Sequence, residues 1–169
     1  MSKRLQDFQT KRCLTASGWL VKDGKVLLVK HKMLGIWLAP GGHVEKDELP
    51  HRAAEREFFE ETGVKAHAIS AYPVYHTIET ENLPMPFTYN LHWINKPGEK
   101  TKKRDDGSVC GQHYVFGFFV EAIGPIKLDD SDTGIDAVQW FSENEIDTLD
   151  TSDTIRSEAH FVFKHYPRQ

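Results

Sequence analysis

The chain has 169 residues, a formal net charge of −4 and a hydrophobic content of 39%. This length favours a single domain over residues 1–169 with a sizeable buried core. The mildly acidic balance gives no indication of a nucleic-acid scaffold or of a membrane surface. No apolar run approaches the roughly 18 residues of a membrane span.

The cysteines and the N-terminal segment bear on the compartment of the protein. Cys13 and Cys110 match no zinc-binding spacing, and two cysteines alone make no disulfide framework. The sequence therefore predicts two reduced thiols in a cytosolic protein. The first residues lack the apolar core of a signal peptide, which also favours a cytoplasmic location. Residues 1–12 are polar and are expected to form a short helix or a loose arm.

The first part of the chain favours a hairpin followed by a glycine-rich bend. Residues 13–21 and 26–30 are typical of strands, and the Asp-Gly pair at 23–24 is a hairpin turn signal. Residues 37–38 predict a further short strand. The Pro-Gly-Gly sequence at 40–42 then predicts a tight bend, where the backbone can approach a ligand closely.

The later part of the chain predicts more strands, a polar loop and a terminal helix. The aromatic segment 112–122 is expected to form the central strand. Residues 95–111 are polar and basic, and are the expected mobile loop. Ile155, Ala159 and Phe163 form an apolar stripe on the terminal helix. The other strands are predicted at 64–69, 72–78, 87–94 and 138–141, and the terminal helix at 152–166.

A predicted helix from Pro50 to Glu61 carries a dense carboxylate cluster. Proline suits the first helical position, and Gly63 can supply the left-handed conformation that ends a helix. Glu57 lies three residues before Glu60 and four before Glu61, and both spacings place side chains on one helical face. These carboxylates repel one another, and oxygen ligands of this kind suit Mg²⁺ or Mn²⁺.

The opposite face of this helix is apolar. Ala54 and Phe58 are four residues apart and should pack on a sheet. Strands are predicted before and after the helix, and a second helix lies near the end of the sequence. The sequence therefore favours an α/β fold in which a mixed sheet lies between helices.

Residues 42–64 match the signature of the Nudix hydrolase family, and the chain resembles that family over most of residues 15–145. In this chain the signature runs Gly, five residues, Glu, seven residues, Arg-Glu, an apolar residue, one residue, Glu-Glu, one residue, Gly and an apolar residue. Phe58 stands where an aliphatic residue is more usual. So many fixed positions are far more specific than a lone glycine motif. The matching residues are Gly42, Glu48, Arg56, Glu57, Phe58, Glu60, Glu61, Gly63 and Val64.

The resemblance implies an α/β/α sandwich around a mixed sheet. It also implies cleavage of a diphosphate linkage by water, with Mg²⁺ or Mn²⁺ as cofactor. Glu57 and Glu61 would be direct metal ligands, and Glu60 would be a ligand or act through water. The backbone carbonyl of Gly41 would complete the metal shell.

The same resemblance assigns supporting and proton-transfer roles. Arg56 would hold the carboxylates in place, with Glu48 as its salt-bridge partner. A carboxylate takes a proton from the attacking water, and the position of a distant base varies in the family. Asp132 is the first candidate for this base, ahead of Asp136 and Glu121.

The expected substrate is a small nucleotide, either a nucleoside triphosphate or a nucleoside diphosphate derivative. Trp37 and Phe87 are candidates to stack on a base, although aromatic side chains more often pack in a core. His43 could reach a phosphate, and His113 could hydrogen-bond a base or fill a structural role. No nucleic-acid or membrane partner is expected, and the chain is expected to be a monomer or a homodimer.

Two other functions stay open at this point. One is a Nudix-fold sensor or binding module without catalysis; degenerate signatures mark such proteins, and this signature is intact. The other is isomerisation of an isoprenoid diphosphate, which would need a reactive cysteine close to an acid. Neither Cys13 nor Cys110 lies in such a context.

Overall fold

The computed structural model describes residues 4–70, 72–73, 78–103, 107–129, 131 and 134–167. Its helices are α1 Pro50–Thr62, α2 Glu143–Ile146 and α3 Asp153–His165, with a short 3-10 turn at Leu5–Asp7. Its strands are β1 Arg12–Trp19, β2 Val21–Lys22, β3 Lys25–His31, β4 Trp37–Leu38, β5 Gly41–His43, β6 Ala66–Ile69, β7 Thr88–Trp93, β8 Gln112–Ala122 and β9 Ile135–Ser142. No helix in the described ranges is long and apolar enough to cross a bilayer.

The strands form two sheets within the described residues. The larger has the order β5–β1–β8–β6, and β7 pairs with the first half of β8. β1 and β8 are parallel, whereas the other pairs in this sheet are antiparallel. The second sheet joins β3 to β2, β4 and β9. The mixed sheet and the central position of residues 112–122 are therefore confirmed.

Helices cover both faces of the larger sheet. Neighbouring residues of a strand point to opposite faces, and Phe118 and Phe119 of β8 are buried in different clusters. Phe118 packs with Ala54 and Phe58 of α1. Phe119 packs with Ala159 of α3. This layered arrangement is the predicted α/β/α sandwich.

Local sequence signals set the ends of α1. Pro50 occupies the first position of the helix, where its missing N–H costs nothing. Gly63 follows Thr62 with a φ of 72°, and its N–H donates to the carbonyl of Phe59. The helix extends one residue beyond the predicted end at Glu61. The prediction of α1, with its proline start and glycine stop, is confirmed.

The predicted hairpin is shorter than expected. Only Val21–Lys22 pairs with Val26 and Lys25, while β1 pairs in register with β8 and β5. An Asp-Gly turn fixes only the residues next to it, and the long parallel pairing with β8 draws β1 into the other sheet. The prediction of a hairpin between residues 13–21 and 26–30 is therefore wrong for β1.

The predicted strand at 72–78 is also not formed where the structure can be described. Tyr72, Pro73 and Ile78 lie outside any strand, and residues 74–77 lie outside the described ranges. Pro73 has no N–H to donate to a sheet ladder, which opposes a strand at this point.

Phe58 anchors α1 to the sheet, and its replacement by a small side chain should destabilise the fold. The side chain is fully buried (0% exposed), whereas its neighbour Phe59 is 44% exposed. Phe58→Ala should lower the free energy of unfolding by about 3–5 kcal/mol, because it opens a cavity in the core. Phe59→Ala should change it by only about 0.5 kcal/mol. Urea denaturation of both variants measures the difference, and equal losses would show that α1 is not held through Phe58.

Candidate active site

One face of α1 presents carboxylates at different depths. Glu61 is buried at 9% exposed, and the side chain of Glu57 is 17% exposed. Glu60 is the outermost, with a side chain 48% exposed. The helical spacing brings them to one side of the helix. We call Glu57, Glu60 and Glu61 the carboxylate row, which runs from the core to solvent.

The backbone of β5 lies directly against the buried end of this row. The N–H of Gly41 donates to Oε2 of Glu61 at 2.9 Å. A Cβ atom added to Gly42 would collide with the carboxylate of Glu57. Glycine is therefore required at 42, because any side chain there would displace Glu57.

Arg56 ties the acidic residues together. Its Nε and Nη2 donate to the two oxygens of Glu48 at 2.9 and 3.0 Å, a bidentate pair. Its Nη1 donates to Glu57 at 2.8 Å and to Glu60 at 3.1 Å. Nη2 also donates to the backbone carbonyl of His43 at 3.0 Å. One guanidinium thus fixes α1, the loop before it and β5 relative to one another.

The charges in this cluster are unevenly balanced. The hydrogen bond from Arg56 lowers the pKa of the Glu48 carboxyl. Burial raises the pKa of Glu57, even though the same guanidinium donates to it, because burial outweighs that hydrogen bond and the ion pair. Arg56 has its pKa raised, with the Glu48 hydrogen bond as the largest cause, and stays charged. Ionised Glu57 therefore lacks full compensation, which suits a position beside a cation.

The donor set fits a hard divalent cation. Glu57, Glu60 and Glu61 offer only carboxylate oxygens, and the N–H of Gly41 holds one oxygen of Glu61 in place. Oxygen ligands of this type favour Mg²⁺ or Mn²⁺ over thiophilic metals. The roles of the individual ligands stay predictions.

The candidates for a distant base lie apart from this cluster or outside the described residues. Asp132 lies outside the described residues. Asp136 lies exposed on β9. Glu121 lies near the end of β8 and pairs with His67 of β6 at 3.3 Å.

The aromatic candidates occupy two different environments. Trp37 packs edge-on against Phe141 at 4.7 Å, in the core between the sheets and α3. Phe87 stacks between Phe119 at 4.5 Å and Phe161 of α3 at 5.6 Å. The structure therefore gives both rings packing partners and does not bring them to the carboxylates of α1.

His43 and His113 belong to a row of polar side chains that crosses the larger sheet. We call His43, His113, His92, Asn90 and Glu158 the polar row. Ring centroids are 4.9 Å apart for His43 and His113, and 5.8 Å for His113 and His92. Nδ1 of His92 lies 3.5 Å from Oδ1 of Asn90, whose Nδ2 donates to Glu158 at 3.0 Å. The row begins at His43 of β5, which lies within the signature stretch 42–64.

The polar row ends at a cavity between β7 and α3. Its volume is about 520 Å³, and Phe87, Thr88, Glu158 and Phe161 contribute to its wall. Burial raises the pKa of Glu158 and lowers that of His92. Sequence reasoning missed His92, Asn90 and Glu158. Strand alternation puts the first two on one face, but Glu158 joins them only through tertiary packing.

Cys13 and Cys110 form a disulfide, so the prediction of two reduced thiols is wrong. Their Cα atoms are 5.9 Å apart, although 97 residues separate them in sequence. The parallel pairing of β1 with β8 causes this, since Arg12 lies opposite Gln112 and Cys13 opposite His113. Cysteine spacing in the sequence carries no signal of that pairing.

Comparisons with known proteins agree with this geometry. A model of the NUDIX domain matches residues 11–161. Phosphatase NudJ of Escherichia coli K12 is 32% identical over 126 residues, which cover 73% of this chain. The same alignment spans only 64% of the length of that relative.

Solved structures share the fold. A NUDIX family hydrolase from Clostridium perfringens superposes with a TM-score of 0.68 at 22% identity, over 91% of this chain and 97% of that one. A NUDIX hydrolase from Nitrosomonas europaea gives 0.63 at 22% identity, over 93% of both chains. With the domain match covering most of the sequence and the signature intact at 42–64, the chain belongs to the Nudix hydrolase family.

Proposed function

We propose that this chain hydrolyses a diphosphate linkage in a nucleoside triphosphate or a nucleoside diphosphate derivative, with Mg²⁺ or Mn²⁺ as cofactor. The observation that carries the proposal is the carboxylate row of α1, which Arg56 and the glycines of β5 hold in place. The name of the relative, phosphatase NudJ, agrees with chemistry at phosphorus. Gly41, Glu57, Glu60 and Glu61 would hold the cation.

The proposed reaction is attack of water on one phosphorus atom, with departure of the other phosphate. The cation, when bound, neutralises phosphate oxygens and lowers the pKa of water. Arg56 keeps Glu57 and Glu60 oriented, so that little reorganisation is needed during the reaction. Asp132 is our candidate for the base. Asp132→Asn should then lower kcat in steady-state kinetics.

The polar row supports a position for the rest of the substrate. It leads from His43 of β5, whose backbone carbonyl accepts from Arg56, to the cavity under α3. We assign the phosphate end to His43 and His113, and the nucleoside or other moiety to the cavity beside Phe87. A cavity of about 520 Å³ is of the size that takes a small-molecule ligand. Trp37 packs against the same hydrophobic cluster as Phe87, and it is the proposed substrate contact with the least structural support.

Glu158 should contribute to substrate binding rather than to the chemical step. It lines the cavity and accepts from Asn90, with its pKa raised by burial. Glu158→Gln should raise KM about 5- to 100-fold with little change in kcat, because an N–H donor replaces one acceptor oxygen of this partly buried carboxyl. Glu99→Gln is the matched control, since that side chain is exposed and lies in the loop between β7 and β8. Steady-state kinetics on the best substrate measure both KM values. An unchanged KM in Glu158→Gln would show that the substrate does not bind in this cavity.

A substrate panel tests the proposed function directly. Nucleoside triphosphates, nucleotide sugars, dinucleoside polyphosphates and coenzyme diphosphates are incubated with Mg²⁺ or Mn²⁺, and products are separated by anion exchange. We expect turnover of at least one class, lost on chelation of the metal. Binding of nucleotides without product across the whole panel would instead favour the Nudix-fold sensor.

A further inference from the structure

A second cluster of metal-ligating side chains lies outside the carboxylate row. Cys13 lies in β1, Cys110 precedes β8, and His43 ends β5. The two cysteine Sγ atoms and one ring nitrogen of His43 all lie within 4.8 Å of one another. We call Cys13, Cys110 and His43 the thiol–imidazole cluster. The parallel pairing of β1 with β8 and the antiparallel pairing of β1 with β5 bring these residues together.

Once the thiols are reduced, the distances between the sulfur and nitrogen atoms suit tetrahedral coordination of a metal ion. Bonds of about 2.3 Å to sulfur and about 2.0–2.1 Å to nitrogen put a sulfur and a nitrogen ligand about 3.5 Å apart. Sγ of Cys110 and Nε2 of His43 are 3.5 Å apart. The Cα atoms of the cysteines, 5.9 Å apart, also allow the two sulfurs to separate to the roughly 3.8 Å of a zinc site.

The surroundings of the cluster favour a built site over a chance approach. Cys110 is only 3% exposed. Cys13 and His43 lie in strands of the same sheet, and Cys110 lies two residues before another of its strands. A disulfide has no need of an imidazole nitrogen beside it, whereas two thiolates and one imidazole are a recurrent zinc ligand set. Sulfur ligands also distinguish this cluster from the oxygen ligands of α1.

We propose that the reduced Cys13–Cys110 pair and His43 bind one Zn²⁺ ion, and that the disulfide is the metal-free form of the same site. Reduction by a phosphine adds two electrons and two protons to the disulfide and converts the phosphine and water to phosphine oxide. Zn²⁺ then displaces one proton from each thiol and accepts a lone pair from Nε2 of His43. Solvent fills the fourth position.

The site would connect two parts of the molecule. His43 follows Gly42 in β5, and its carbonyl accepts from Arg56, so the zinc ion would fix the strand that touches the carboxylate row. Nε2 of His43 would then be committed to zinc, and the phosphate contact would fall to His113. The donor set stands on its own geometry and does not depend on the proposed hydrolysis.

Cobalt is the probe for this site, because thiolate–Co²⁺ charge-transfer bands report sulfur ligands and the oxygen ligands of α1 give none. The whole chain is reduced with a phosphine, freed of metal and titrated with Co²⁺, followed by back-titration with Zn²⁺. We expect one equivalent of Co²⁺ to produce the thiolate band, and Zn²⁺ to remove it. The oxidised chain should give no thiolate band.

Variants identify the ligands. Cys13→Ser and Cys110→Ser should each lose at least half of the band intensity, and His43→Gln should weaken Co²⁺ affinity at least about tenfold. His67→Gln is the matched control, because that imidazole lies on β6 and pairs with Glu121. Circular dichroism checks folding, and the reduced parent chain decides the matter if Cys110→Ser does not fold. A reduced parent chain without the band, or an unchanged affinity in His43→Gln, would overturn the proposal.

Discussion

Glu57→Gln should lower kcat by about 100-fold or more while the fold is retained. Glu57 is the partly buried carboxylate that contacts Arg56 and lies against the Gly42 position of β5. A bound cation is worth several kcal/mol of transition-state stabilisation, and each 1.4 kcal/mol is about a factor of ten in rate. Glutamine keeps the shape of the side chain but removes the charge that, under the proposed function, holds the cation. Steady-state kinetics at saturating Mg²⁺, with circular dichroism as a folding check, measure the effect.

Glu45→Gln supplies the control for this substitution. Glu45 lies within the signature stretch but is exposed. It meets Glu48 through backbone groups: its N–H donates to the Glu48 carboxylate, and its carbonyl accepts from the Glu48 N–H. Its replacement should change kcat less than twofold. Glu60→Gln should resemble Glu57→Gln, because Arg56 orients both side chains. Full activity in both Glu57→Gln and Glu60→Gln would remove the assignment of this site.

Arg56→Lys should weaken both metal binding and turnover by about 10- to 100-fold, although the charge is conserved. A guanidinium can bind both oxygens of Glu48 and still donate to Glu57, Glu60 and the His43 carbonyl. An ammonium is a point charge that cannot reproduce this geometry. Loss of groups that orient metal ligands has effects of about this size.

Arg52→Lys is the matched control for Arg56→Lys. Arg52 lies on the same helix and pairs with Glu55, but its side chain is 66% exposed. Exposed pairs of this type contribute little, so we expect activity within twofold of the parent. Activity against Mg²⁺ concentration separates the two effects, because a lost ligand orientation shifts the half-saturating Mg²⁺ concentration. Equal responses in the two variants would show that Arg56 has no special role.

The features that depend on residues close together in the sequence could be predicted from it. Pro50 and Gly63 mark the ends of α1, and the spacing of Glu57, Glu60 and Glu61 places the carboxylates on one face. The aromatic run of β8 likewise indicates a central strand. These features follow from helix and strand periodicity, which is contained in a short stretch of chain.

The remaining features depend on pairings between distant residues. The parallel contact of β1 with β8 joins Cys13 to the region of Cys110 and removes β1 from the expected hairpin. Glu158 reaches Asn90 only because α3 folds back over β7. No local pattern carries these contacts, so the disulfide and the cavity end of the polar row could not be predicted.

Hydrolysis in ¹⁸O-labelled water is the most direct test of the central claim. The parent chain and Glu57→Gln are compared side by side with Mg²⁺ and the best substrate of the panel, and the masses of the products are measured by mass spectrometry. We expect one label in one of the two phosphate products, no label in the other, and little product from Glu57→Gln. Label-free products, or equal product from the two proteins, would contradict water attack on phosphorus at the carboxylate row of α1.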